Sequence, residues 1–275
     1  MRTRMQAAVA ALVMGLMATA GSARSAEQWM VVVSPDNSFN ALFANDGKAV
    51  LAAQMMGWGP NWAWAGAPSS QEQSVDGKLN IRAPMTISGE KVLVACEAQQ
   101  SGPRTVTYKY TLTAEKDLPL TKLVTALSAP DSVTGEIVVT KVNGQHQRLP
   151  IPQTRTDVPD DATELTFKLK DAGDVVLTLD PPCRIHPETG ATRVELAHDL
   201  LKAGKTVVTL TFRFPGAVSF VGSREEQEKY TKIVAGPDWF AFTGSNDVGP
   251  SVIGFEDWLE KPAGKHGRIV RKSDK

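Results

Sequence analysis

Hydrophobic and polar residues alternate with a period of two over much of this chain. Across residues 105–113 (TVTYKYTLT), Val106, Tyr108, Tyr110 and Leu112 share one side, and threonines and Lys109 take the other. Residues 206–214 repeat this, with Val208, Leu210, Phe212 and Phe214 opposite Thr209, Thr211 and Arg213. Successive strand side chains point to opposite faces, so both stretches read as half-buried strands. Leu165, Phe167 and Leu169 alternate with Thr166, Lys168 and Lys170, the turn Asp171-Ala172-Gly173-Asp174 follows, and Val175, Leu177 and Leu179 complete a hairpin. Residues 136–142 run into Asn143-Gly144, a strong hairpin signal, with a return along residues 145–151.

Nearer the N-terminus, residues 29–34 (WMVVVS) read as a buried strand and Pro35-Asp36-Asn37 as a turn. Residues 38–43 and 48–54 flank the turn Asn45-Asp46-Gly47 as two more strands. Roughly a dozen short β segments, with turns about every 8–12 residues, predict an all-β fold, an antiparallel β-sandwich. Parallel strands of a βαβ fold would read as continuous apolar runs instead. One helix is expected, at residues 223–232 (SREEQEKYTK), where Ser223 and Glu226 make a capping box. It is mostly polar and belongs on the surface.

Arg2 and Arg4 precede an uncharged, mostly apolar run over residues 5–20, and Gly21-Ser22-Ala23-Arg24-Ser25-Ala26 supplies small residues for cleavage. That is the layout of a secretory signal peptide. The apolar run is shorter than the roughly 20 residues that cross a bilayer. Three parts are therefore expected: a signal peptide (1–25), a β-sandwich (26–222), and a helix with an irregular connector (223–275). The implied location is secreted or periplasmic, with no membrane span after cleavage.

Composition narrows the partners. Lys+Arg and Asp+Glu are each 30, for a formal charge of zero. A basic stripe for nucleic acid is not expected. The two cysteines, Cys96 and Cys183, suit either a disulfide in an oxidising compartment or buried free thiols. His146, His186, His198 and His266 show no metal-ligand spacing, and no serine-nucleophile elbow or phosphate loop occurs. No metal, cofactor or catalytic residue is assigned. The polar cluster Cys183-Arg184-Ile185-His186-Pro187-Glu188 reads as a solvated hairpin connection.

Residues 57–66 (GWGPNWAWAG) hold three of the six tryptophans, Trp58, Trp62 and Trp64. Glycine and proline make the stretch irregular. Burial as a plug on one end of the core is the usual fate of such rings, and is the favoured reading. Flat aromatic faces also suit sugar rings, which makes this loop the candidate carbohydrate-binding surface.

The segment 244–269 is punctuated by glycine and proline but carries an apolar island, Val252, Ile253, Phe255, Trp258 and Leu259, a candidate domain-docking strap. Its residues Asn246-Asp247-Val248-Gly249-Pro250-Ser251, Trp258-Leu259 and Pro262-Ala263-Gly264-Lys265-His266-Gly267-Arg268 resemble a junction in large secreted bacterial glycoside hydrolases and cellulases. In those proteins an N-terminal β-sandwich leads through such a connector into a (β/α)₈ barrel of the family 5 or clan A type. The resemblance covers roughly 20 residues; across the sandwich it is architectural only. It implies a catalytic barrel beginning just after Lys275, so no catalytic residue transfers to this chain.

Three functions follow as expectations. The first is a non-catalytic module of a secreted polysaccharide-degrading enzyme, packed on and extending the cleft of a downstream catalytic domain. The second is a free-standing exported protein that binds carbohydrate or a cell surface. The third is a small β-sandwich polysaccharide lyase or hydrolase.

Overall fold

The protein is seen in a computed structural model that describes residues 29–222 together with 225 and 226. The expected signal peptide, all but two residues of the expected helix, and the expected connector with Val252, Ile253, Phe255, Trp258 and Leu259 lie outside the described residues.

Two eight-stranded sheets pack as a sandwich. The first contains β1 (Trp29–Val33), β2 (Ala41–Asn45), β3 (Lys48–Trp58), β4 (Trp64–Gly66), β8 (Leu118–Ser128), β13 (Ile185–Glu188), β14 (Ala191–Leu201) and β16 (Val218–Val221). Its order is β13-β14-β8-β3-β2-β1-β16, with β4 paired to β3. The second contains β5 (Lys78–Ile87), β6 (Glu90–Gly102), β7 (Thr105–Ala114), β9 (Gly135–Lys141), β10 (His146–Ile151), β11 (Ala162–Leu169), β12 (Gly173–Cys183) and β15 (Gly204–Arg213). It runs β10-β9-β11-β12-β15-β7-β6-β5. Pairing is antiparallel except between β1 and β16, which run parallel. The all-β sandwich expected from the alternation is what forms.

The hairpins follow the sequence closely. In β9–β10 the Gly144 N–H donates to the Lys141 carbonyl at 2.9 Å, and the Asn143 side chain accepts from the Gln145 N–H at 2.9 Å. Asp46 and Gly47 both take positive φ, 46° and 74°, the twist a tight hairpin needs between β2 and β3.

Other elements differ from expectation. The turn at Pro35 extends further, because the Asn37 side chain accepts from the Phe39 N–H and its carbonyl from the Asn40 N–H, so β2 begins only at Ala41. Strand β3 runs on to Trp58, since pairing with β8 holds Gly57 and Trp58 in the ladder despite their weak local preference. Residues 185–188 form an edge strand on β14, not a solvated connection.

The core lies between the sheets, where alternate residues of both interdigitate. Phe43 of β2 meets Phe212 of β15 at 4.8 Å between ring centroids, and Trp29 of β1 meets Phe214 at 5.1 Å. The two outer faces are unlike. On β5 the outward residues Lys78, Asn80, Arg82, Pro84 and Thr86 are exposed. On the β1–β14 sheet, Val32, Ala44, Val124 and Ala126 are buried although they stand outside the intersheet core. Runs such as residues 29–33 are apolar at consecutive positions because both their faces are covered.

Candidate functional site

The candidate site sits at one end of the β1–β14 sheet, on its outer face, where β3 turns into β4. Gly57 faces inward there. A Cβ at Gly57 would stand 2.7 Å from the Met85 side chain and 2.8 Å from that of Leu123. With Gly57 turned in, the period of two turns Trp58 out. The chain then makes one 3₁₀ turn, Pro60–Trp62, and returns as β4, pairing Trp64 with Trp58.

The tip of this hairpin is strained and clamped. Asn61 and Trp62 adopt φ of 55° and 62°, a left-handed conformation that is costly for a bulky side chain. The Gly59 N–H donates to the Ala63 carbonyl at 2.7 Å. The Thr121 hydroxyl of β8 donates to the Gly59 carbonyl at 2.7 Å and accepts from the Trp62 N–H at 3.2 Å. One side chain of the neighbouring strand thus grips both ends of the turn.

The three rings form one cluster. Trp58 meets Trp62 at 6.0 Å and 68°, and Trp64 at 5.3 Å and 63°, both edge-to-face. Trp58 is half-buried, whereas Trp62 is 50% and Trp64 63% exposed. The core-plug reading therefore fails for Trp62 and Trp64. Burial of the strand's inward face is completed by Gly57, and the rings stand in solvent.

Ionic groups lie beneath and beside them. Lys122, directly opposite Trp58 on β8, sets its ammonium 5.1 Å from the centroid of the Trp62 ring. That ammonium pairs with Glu195 of β14 at 2.5 Å, with side chains 7% and 2% exposed. Arg193 lies 4.7 Å from the centre of the Trp58 ring and 3.5 Å from the Glu188 carboxylate. His186 Nε2 stands 2.8 Å from Glu188 Oε1, and the His186 ring 6.4 Å from that of Trp62. Partial burial acts to raise the Glu188 pKa, but the His186 hydrogen bond and the charges of Arg193, His186 and Arg155 outweigh it and hold the carboxyl below its usual range.

A bulge in β14 between His198 and Leu200 puts Asp199 outside the ladder, with φ of 60°. Its carboxylate is held below the ordinary range by the His198 hydrogen bond at 3.0 Å and by nearby charges including Arg184, 3.7 Å away. An open cavity of about 340 Å³ adjoins the cluster, lined by Asp157, Val158, Pro159, Arg184, Ile185 and His186.

The structure thus brings Trp58, Trp62 and Trp64 together and adds Lys122, Arg193 and Glu195, which sequence reading missed. A signal was present: Lys122 and Glu195 each interrupt an apolar run, and such charges are buried only when paired. Cys96 and Cys183 are both buried and free. Among the described residues no group of three or more His, Cys, Asp or Glu is placed to hold a metal ion, and no helix is long and apolar enough to cross a membrane. The arrangement offers flat apolar faces on a fixed turn, bordered by hydrogen-bond donors and acceptors. No family model matches the chain, and no curated protein matches it.

Proposed function

We propose that the sandwich is a non-catalytic carbohydrate-binding module of a secreted polysaccharide-degrading glycoside hydrolase, extending the substrate cleft of a downstream catalytic domain. Exposed Trp62 and Trp64 on a strained, clamped hairpin carry this reading. Two large apolar rings in water are unfavourable for a free-standing surface. So is a tryptophan in the left-handed region, and such strain collects at binding sites. Sugar rings present C–H faces that pack on indoles, while Arg193, His186 and Glu188 border the cluster with groups that hydrogen-bond hydroxyls. Trp58 is the brace, gripped between Arg193 and the other two rings. The export layout at residues 1–25 and the junction-like segment at residues 244–269 support the enzyme context.

Affinity electrophoresis of the purified protein through gels containing plant and microbial polysaccharides tests this. Retardation by at least one glycan is expected, with a loss of about tenfold or more in affinity for Trp62→Ala and Trp64→Ala, since stacked rings dominate such surfaces. Both variants should keep the wild-type circular dichroism, the rings being exposed. Retention of full glycan affinity by both variants would sink the assignment.

A further inference from the structure

The ionic groups around the rings are matched in sign, and this bears on which glycans fit. Lys122 is neutralised by Glu195 at 2.5 Å, Arg193 by Glu188 at 3.5 Å, and Arg184 by Asp199 at 3.7 Å. Arg155 and Asp157, both exposed two residues apart on the adjoining loop, add one charge of each sign. We infer that the ligand of this surface is a neutral polysaccharide rather than a uronate-containing or sulfated one. The inference rests on the carbohydrate-binding reading and narrows it to one class of substrate.

An anionic sugar is held by a cation with charge to spare, as a bidentate guanidinium or a free ammonium. Next to Trp62 the nearest cation is Lys122, and a buried carboxylate already occupies it. An incoming carboxylate or sulfate would have to compete with Glu195 for Lys122 and with Glu188 for Arg193, cations that the fold already pairs. A neutral sugar meets no such penalty. Its hydroxyls both donate and accept, so they suit the partly exposed Arg193, Glu188 and His186 without displacing the ion pairs. The cation–π contacts tell the same way. Lys122 and Arg193 each lie over an indole ring, spending their charge on the platform itself.

The test is titration of the purified protein with neutral glycans (mixed-linkage β-glucan, xylan and galactomannan) and with anionic ones (polygalacturonate, alginate and a sulfated galactan). Each is measured at low and high sodium chloride, with wild type and Trp62→Ala. Binding to a neutral glycan is expected, changing less than about twofold between roughly 0.05 and 0.5 M salt, because screening acts on net charge. Trp62→Ala should lose about tenfold or more of that affinity. Tightest binding to an anionic glycan, weakened about tenfold or more by salt and still dependent on Trp62, would overturn the inference while leaving the aromatic platform standing. Binding to no glycan in either class removes the carbohydrate reading and the inference with it.

Discussion

Lys122 and Glu195 pay the desolvation cost of two charges inside a sheet face, and their value to the fold depends on staying together. Removing one partner leaves an uncompensated buried charge, which costs about 3–5 kcal/mol, whereas apolar replacement of both is often near neutral. Glu195→Leu alone should therefore destabilise the sandwich by roughly that amount, and Lys122→Met with Glu195→Leu by far less. Urea denaturation of the three proteins measures the difference; equal losses in the single and double variants would show that the pair is not coupled. Glu188 and Asp199 act differently, through pH. Both carboxyls are held below their usual values in the folded state. Their contribution is whole above the unfolded pKa of about 4 and is lost as pH falls through the depressed values. The melting temperature should fall between about pH 5 and 3, and Glu188→Gln should flatten part of that fall. Asp199, with its side chain 76% exposed, adds little because solvent screens it.

The β3–β4 hairpin shows how an element takes its shape from its neighbours. Its tip is shaped by Pro60 and held by Thr121, a residue 59 positions away from Trp62 in the chain. Thr121→Val keeps the shape of that side chain but removes the bond to the Gly59 carbonyl. The Trp62 ring should then sample other orientations, with glycan affinity falling about tenfold while global stability changes by about 1 kcal/mol. Tryptophan fluorescence anisotropy and the binding titration read these separately; unchanged affinity would show that the clamp is dispensable. The same element marks the reach of local sequence reading. Period-two alternation located the strands, and Asn143-Gly144 and Asp171–Asp174 located hairpins, because those signals are local. Residues 57–66 read as irregular, because glycine and proline weaken a strand signal that pairing with β8 then restores. The tryptophans were visible as a cluster in sequence; whether they faced core or solvent turned on Gly57 taking the inward position, set by Met85 and Leu123 on other strands.

For the whole molecule, what escaped the sequence is the order of the strands. β14 lies against β8 and β13 forms an edge, which puts Arg193, Glu195, His186 and Glu188 beside a hairpin made more than a hundred residues earlier. No short-range pattern encodes that adjacency, so the charged half of the site was legible only as isolated polar residues in apolar runs. The closing β1–β16 pair, parallel where all others are antiparallel, was equally hidden. The buried outer positions Val32, Ala44, Val124 and Ala126 had left a trace, in strands that are apolar at consecutive positions. Three edge strands are guarded against pairing with other chains by prolines: Pro84 in β5, Pro150 in β10 and Pro187 in β13.

The two sealed cysteines give the protein a way to report on itself. Burial raises the Cys96 thiol far above its ordinary range and pushes that of Cys183 up to about 12, so neither carries the thiolate that alkylating reagents attack. Cys96 lies mid-strand in β6, between two neighbours, while Cys183 closes β12 beside the bulge in β11. Each becomes reactive only when its own strand opens. Timed alkylation read by intact mass would then separate fraying at the end of β12 from parting of the sheet around β6, without any label being engineered into the molecule.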